Sequence, residues 1–206
     1  MRIVNRSYQS SNVALILIGI NVAVFALQQL VPMSSTYLAM NPLAVIGNKW
    51  VWQVFTYMFA HGSISHLLFN MLALFMFGTQ VERYMGSAEF LCFYLITGFL
   101  AGAFSLGVYC LTFSYRVWLL GASGAIFAVQ LAYATFFPNA VIAIWGILPL
   151  RAPVMVLVFT VIELASLFFG FQSSVAHLTH LAGFAFGWLY LLIRFRQNPW
   201  RALTGR

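Results

Sequence analysis

The sequence contains no aspartate, and its acidic residues are three glutamates, Glu82, Glu89 and Glu163. That absence excludes a Ser-His-Asp triad and a protease built on paired aspartates. Charge of either sign is scarce: 6% of the 206 residues are charged and 63% are hydrophobic, outside the range of soluble domains and typical of a chain with several apolar spans. Little sequence lies outside the apolar runs, so a separate soluble domain of ~50 residues or more does not fit beside them. Cys92 and Cys110 are the only cysteines and share one apolar run. They form no disulfide framework and read as packing residues. The formal charge of +7 raises nucleic acid as a partner, but the basic residues stand at the ends of apolar runs instead of clustering with aromatics. No nucleic-acid partner is expected; the lipid bilayer is.

What is present is a succession of apolar runs. Val13 to Val31 is ~19 residues, enough to span, and lacks the small-residue cleavage site of a signal peptide, so it is read as a first helix. Further helices are predicted over 65–81, 90–113, 123–137, 154–169 and 175–193. The expectation is an all-α polytopic membrane protein, one domain over 1–206, with six transmembrane helices and a short central fourth helix. That fourth helix starts near Ser123, stops before Pro138 and covers ~22 Å, less than the ~30 Å hydrocarbon core. Pro32 to Ala60 carries Trp50, Trp52, Phe55, Tyr57 and Phe59 and reads as a loop partly sunk in the interface. Asn139 to Leu150, bounded by Pro138 and Pro149, reads as an interfacial connector.

Six spans put both termini on one side. Arg2, Arg6, Arg83, Arg151, Arg194, Arg196, Arg201 and Arg206 fall on that side, against Lys49 and Arg116 opposite, which makes the termini cytoplasmic. Helices two, four and six then begin at the outer face. The polar residues that membranes rarely hold sit at those three ends: His61, His66 and Asn70; Ser123; His177 and His180. Intramembrane ionisable groups are functional candidates by default.

Ser123 stands between Gly121 and Gly124 in a GASG stretch at a helix start. Backbone N–H groups there can hold an oxyanion, and a neighbouring base would activate the hydroxyl. His66 and Asn70 are four apart, on one helix face, and can donate to a common point. Gly124, Ala128 and Ala132 face a second small stripe, Gly183 and Gly187, just after His180. Such stripes let helices approach closely, which brings His180 within reach of Ser123. Spacing alone does not choose between His177 and His180. His180 is favoured because it lies deeper, ~4.5 Å along the helix, and directly precedes the glycines. Phe127, one turn after Ser123, either packs on the imidazole or belongs to the ordinary core.

With these residues in place, the chain resembles the rhomboid family of intramembrane serine proteases, of the bacterial six-helix type, over nearly its whole length. The motifs are His61, His66 and Asn70 in an HxxxxHxxxN pattern, GASG at 121 to 124, and HxxGxxxG at 180 to 187. Gly78, Glu82, Gly86, Phe90, Tyr94 and Gly98 follow a fourth family pattern. The resemblance implies a serine endopeptidase in a bacterial inner membrane, cutting single-span membrane proteins near the outer face without a cofactor. It implies Ser123 as nucleophile, His180 as base, and His66, Asn70 and the Ser123 N–H as oxyanion donors, with His61 structural. The chain departs from the family at Gln53, where many members have Arg after the tryptophan, and at Phe127, where some have Tyr.

Glu163 lies mid-span in helix five. It reads as a protonated carboxyl bonded to a neighbouring helix, or as a residue that helps gate substrate entry. Glu82, Glu89 and Arg116 read as interface or capping residues. Two rival functions remain. Four histidines near one depth suit zinc or haem, although no HExxH occurs and Ser123 would then have no role. A relative that binds transmembrane helices without cutting them is the other, although both Ser123 and His180 are present.

Overall fold

The computed structural model describes residues 12–144, 147–169 and 174–204. Arg2, Arg6 and Arg206, three of the charges used for orientation, lie outside the described residues. The helices are α1 (Val13–Leu30), α2 (Ile64–Met85), α3 (Ser87–Leu111), α4 (Ser123–Phe136), α5 (Ala152–Phe169) and α6 (Ser174–Tyr190). α2 passes through a π-helical stretch at Leu74–Gly78, and α6 continues into another at Leu191–Phe195. α1, α2, α3, α5 and His177–Phe195 are each long and apolar enough to cross a membrane, whereas α4 is shorter. This is the build of an integral, multi-pass membrane protein.

α4 is the centre of the packing. Gly124, Ala125, Ala128, Ala132 and Ala134 are buried along it together with Ile126, Val129 and Leu131. A helix buried all round, with small side chains, can be enclosed by α2, α3, α5 and α6 at close range. Leucine and phenylalanine stand outward on the enclosing helices, as at Leu68, Phe75, Phe99, Phe104, Leu164 and Leu189. That is the inverse of a soluble bundle and suits lipid contact.

Several boundaries differ from the sequence reading, each for a physical reason. α2 runs on to Met85 because Glu82 does not face solvent: it is buried, and its carboxylate accepts from Val13 N and Ala14 N, both at 2.9 Å, and from Ser87 Oγ at 2.7 Å. The break falls at Gly86, whose φ of 88° is open to glycine. α3 begins at Ser87 and ends at Leu111, just before Phe113 takes a positive φ of 57°. α5 begins at Ala152 because Pro153 fits a first helical turn. α4 and α6 differ from expectation by one residue at an end or by the added π turn.

The chain is mostly helical, as expected, with one addition. The connector at 139–150 contains an antiparallel hairpin of β1 (Val141–Ile144) and β2 (Leu148–Arg151), with Val141 opposite Arg151 and Ala143 opposite Pro149. β-branched Val141, Ile142 and Ile144 favour the extended form. Both strands of a two-stranded hairpin are edges, so Pro149 can sit there without an N–H.

The first loop is built rather than irregular. It holds short helices at Ser34–Leu38, Pro42–Ile46 and Gln53–Thr56. Gln53 is fully buried and ties the loop together: its side chain accepts from Asn41 N at 3.1 Å and donates to Thr36 O at 2.8 Å. Trp52 Nε1 donates to Tyr37 O at 3.0 Å. The departure from Trp-Arg at this place therefore leaves the loop anchored.

Candidate active site

The strand of chain leading into α4 is fastened to the first loop at successive points. The Asn41 amide donates to Tyr115 O at 3.2 Å and Val117 O at 2.9 Å. Met40 and Leu119 exchange backbone hydrogen bonds at 2.8 and 2.9 Å, and Gly121 N donates to Tyr57 O at 3.0 Å. Tyr57 is itself held by its hydroxyl, which donates to Gly98 O at 2.6 Å. The long loop thus fixes where α4 starts.

Ser123 is the first residue of α4, and no side chain caps that helix end. Uncapped N–H groups at a helix N-terminus suit a developing anion. Ser123 Oγ lies 2.7 Å from His180 Nε2, close enough for the hydroxyl to donate to the ring nitrogen. The two helices meet because Gly183 and Gly187 have no side chains: a Cβ at Gly183 would overlap the Gly124 carbonyl, and one at Gly187 would stand 2.8 Å from Ala128 Cβ. Phe127 stacks flat on the His180 ring, centroids 4.3 Å apart and planes 8° apart. That contact restricts ring rotation and leaves the ring edge free for hydrogen bonds.

Gly121 has a φ of +123°, and a Cβ there would come within 2.7 Å of His66 Nε2 and 3.7 Å of Ser123 Oγ. The backbone at this point is therefore glycine's alone, and His66 and Ser123 flank it. Asn70 is buried one turn further along α2, and its amide donates to His66 O at 2.7 Å. An amide carries two N–H groups, so one remains for a ligand. His61 packs edge-on to the His66 ring at 5.1 Å and is 2% exposed. Burial, then the neighbouring His66, push the His61 pKa down to about 4.

Glu163 is the site residue whose partners the sequence reading did not name. Its Oε2 lies 2.6 Å from His177 Nδ1 and its Oε1 3.1 Å from His180 Nδ1. The second contact is close but not straight, since His180 Nδ1 has no well-aligned hydrogen-bond partner. Helix arithmetic contains the signal. Glu163 stands six residues before the end of α5 at Phe169, and His180 six residues after the start of α6 at Ser174. In an antiparallel pair that is the same depth, ~9 Å from each helix end.

The histidines do not form one donor set. Glu163, His177 and His180 each offer one atom within 4.8 Å of the others, while His61 and His66 pair separately. The group of three is of a kind that holds zinc, but a hydrogen-bonded separation of 2.6 Å is shorter than two ligands ~2.0–2.1 Å from one tetrahedral zinc would adopt. A single four-histidine metal or haem site does not match this arrangement.

A family profile described as the Rhomboid domain matches residues 48–197. The chain is similar to mitochondrial Rhomboid protein 1 of Saccharomyces cerevisiae, 32% identical over 65% of this chain and 39% of that protein. It is similar to RHOMBOID-like protein 7 of Arabidopsis thaliana, 29% identical over 82% of this chain and 52% of that protein. It is also similar to Rhomboid protease GluP of Bacillus subtilis, 43% identical over 38% of this chain and 14% of that protein. The chain spans about half or less of each of these relatives.

Proposed function

The chain belongs to the rhomboid family, and from that membership we propose that it is an intramembrane serine endopeptidase using Ser123 and His180. The observation that carries the reading is the 2.7 Å contact between Ser123 Oγ and His180 Nε2 at the uncapped start of α4. In the proposed reaction His180 Nε2 takes the Ser123 proton as Oγ attacks a peptide carbonyl of a transmembrane protein. The carbonyl oxygen becomes an oxyanion, held by the Ser123 N–H, the free Asn70 N–H and His66 Nε2–H. His180 then gives the proton to the leaving amine, and water releases the acyl group by the same steps in reverse.

Membrane geometry bears on the substrate. An intact transmembrane helix hides its carbonyls in its own hydrogen bonds, so the segment to be cut must unwind to reach Ser123. Single-span proteins with helix-destabilising residues near the outer face are the substrates this reading expects. The orientation rests on two steps: six crossings put both termini on one side, and the basic residues favour the cytoplasm for that side. The bacterial inner membrane is what the family resemblance adds.

The test is cleavage of a panel of single-span substrates by the purified protein, with Ser123→Ala as control. Ser123→Ala is expected to be folded and inactive, and a fluorophosphonate probe is expected to label the wild type at Ser123 and spare the variant. Equal cutting by both proteins would refute the assignment. Mapping the cut to the cytoplasmic half of the span would overturn the orientation.

A further inference from the structure

We propose that Glu163 is a positioning residue for His180: its carboxylate sets the imidazole in the tautomer with the proton on Nδ1 and balances the imidazolium charge, while His177 holds the carboxylate. The inference rests on the Ser123–His180 reading above and adds a third partner to it.

Three observations and one chemical requirement carry it. Close contacts run in series from Glu163 Oε1 to His180 Nδ1 at 3.1 Å and from His180 Nε2 to Ser123 Oγ at 2.7 Å. The base can accept from Ser123 at Nε2 only if its proton sits on Nδ1, and a carboxylate oxygen beside Nδ1 selects that tautomer. His177 occupies the other oxygen at 2.6 Å, which leaves Oε1 turned to His180. The side chains are 10% exposed at Glu163 and His177 and 15% at His180, so the charge interactions are poorly screened.

The two other acids are engaged elsewhere. Glu82 caps α1, and Glu89 pairs with Arg194 at 2.9 Å. A carboxylate in the middle of an apolar span is costly to insert and is a functional candidate by default. A tie between α5 and α6 would need only the His177 contact; it would not require Oε1 to lie against the base. The His180 contact is bent rather than linear, and catalytic hydrogen bonds commonly straighten when substrate binds. When His180 takes the Ser123 proton, the pair becomes imidazolium and carboxylate. Glu163 stays ionised throughout, so no proton is created or lost.

The experiment uses the full chain in detergent, with Glu163→Gln, Glu163→Asp and Ser123→Ala. Glu163→Gln is expected to lower kcat by about a hundredfold or more, because an amide can favour the wrong tautomer. KM should stay within about threefold, and fluorophosphonate labelling of Ser123 should slow along with kcat. Glu163→Asp should recover part of the loss. A folded Glu163→Gln protein with wild-type kcat and labelling rate would overturn the proposal, as would a change confined to KM.

Nitrogen NMR of labelled histidine in the wild type keeps the idea testable if the variant does not fold. The proton is expected on His180 Nδ1, and finding it on Nε2 would overturn the proposal. Stoichiometric metal in the purified wild type, with activity lost to a chelator, would also overturn it in favour of an ion shared by the three residues. Cleavage and labelling that persist in Ser123→Ala would instead sink the underlying reading, a distinct result.

Discussion

Gly183 in α6 lies directly against the backbone of Gly124 in α4, so that a Cβ at position 183 would overlap the Gly124 carbonyl oxygen. Ser123 immediately precedes Gly124, and His180 is one turn before Gly183. The contact between the two glycines therefore sets how far Ser123 stands from His180, the proposed nucleophile and base.

Gly183→Ala should push α6 away from α4 and cost activity severely, with a stability loss of about 1–3 kcal/mol from overpacking. Gly187→Ala meets Ala128 Cβ at 2.8 Å and should show the same effect more weakly, being further from Ser123. Gly107 has nothing within 4 Å of its added Cβ and serves as control: Gly107→Ala should be neutral or slightly stabilising, since alanine is the better helix former. Cleavage rates and thermal unfolding midpoints of the three variants give the order. Full activity in Gly183→Ala would show that the close approach is not needed.

The proposed oxyanion donors make a second prediction. Loss of one donor typically costs about a hundredfold to a thousandfold in turnover. Asn70→Ala and His66→Ala should each be slow rather than dead, with kcat falling more than KM rises. His66 also packs against Gly121 and His61, so its variant should lose stability as well, whereas Asn70→Ala should lose mainly rate. A double variant that turns over at the wild-type rate would remove both residues from the oxyanion site.

Much of this arrangement was written in local patterns. Apolar runs located the long helices, and the stripes at Gly124, Ala128 and Ala132 and at Gly183 and Gly187 carried the close packing of α4 on α6. What local pattern could not carry was long-range pairing of single polar residues. Glu82 looked like a helix end because a charge usually marks one, but its partners are the first N–H groups of α1, 68 and 69 residues away. Gln53 differs from arginine in charge, yet its amide both donates and accepts, and the loop uses both functions. The hairpin was missed because a short apolar run between prolines has no decisive period. Glu163 was legible only by counting from the ends of two adjacent helices.

His61 supplies a pH prediction. An unperturbed histidine titrates near ~6.5, and burial beside His66 lowers His61 to about 4. The unfolded chain therefore binds a proton in this window that the folded protein does not. Stability is fully present above pH ~6.5 and declines as pH falls toward 4, by up to about 3 kcal/mol from this group. His61→Gln should flatten that decline relative to the wild type, although its stability at neutral pH should be lower. Unfolding midpoints at several pH values measure the difference, and parallel curves for the two proteins would exclude His61 as the source.

Glu82 gives the last prediction, and it concerns how α1 is held to the rest of the molecule. The N-terminus of α1 has no side-chain cap from Asn12. Its first N–H groups, that of Val13 partly buried and that of Ala14 buried, would be left unpaired without the carboxylate of Glu82, which accepts from both and from the Ser87 hydroxyl. The negative charge also faces the positive end of the helix dipole. Hydrogen bonds to a charged group are worth about 1.5–3 kcal/mol each, and stranding buried donors costs more than never burying them. Glu82→Ala should therefore destabilise strongly and loosen α1. Glu82→Gln is the sharper test, because the amide keeps one acceptor oxygen but turns an NH₂ toward one of the two backbone N–H groups, setting donor against donor. It should lower the unfolding midpoint and raise hydrogen exchange at Val13 and Ala14 while Ser123 remains reactive to probe. A Glu82→Gln protein as stable as wild type, with unchanged exchange at both amides, would show that the carboxylate is not what fastens α1.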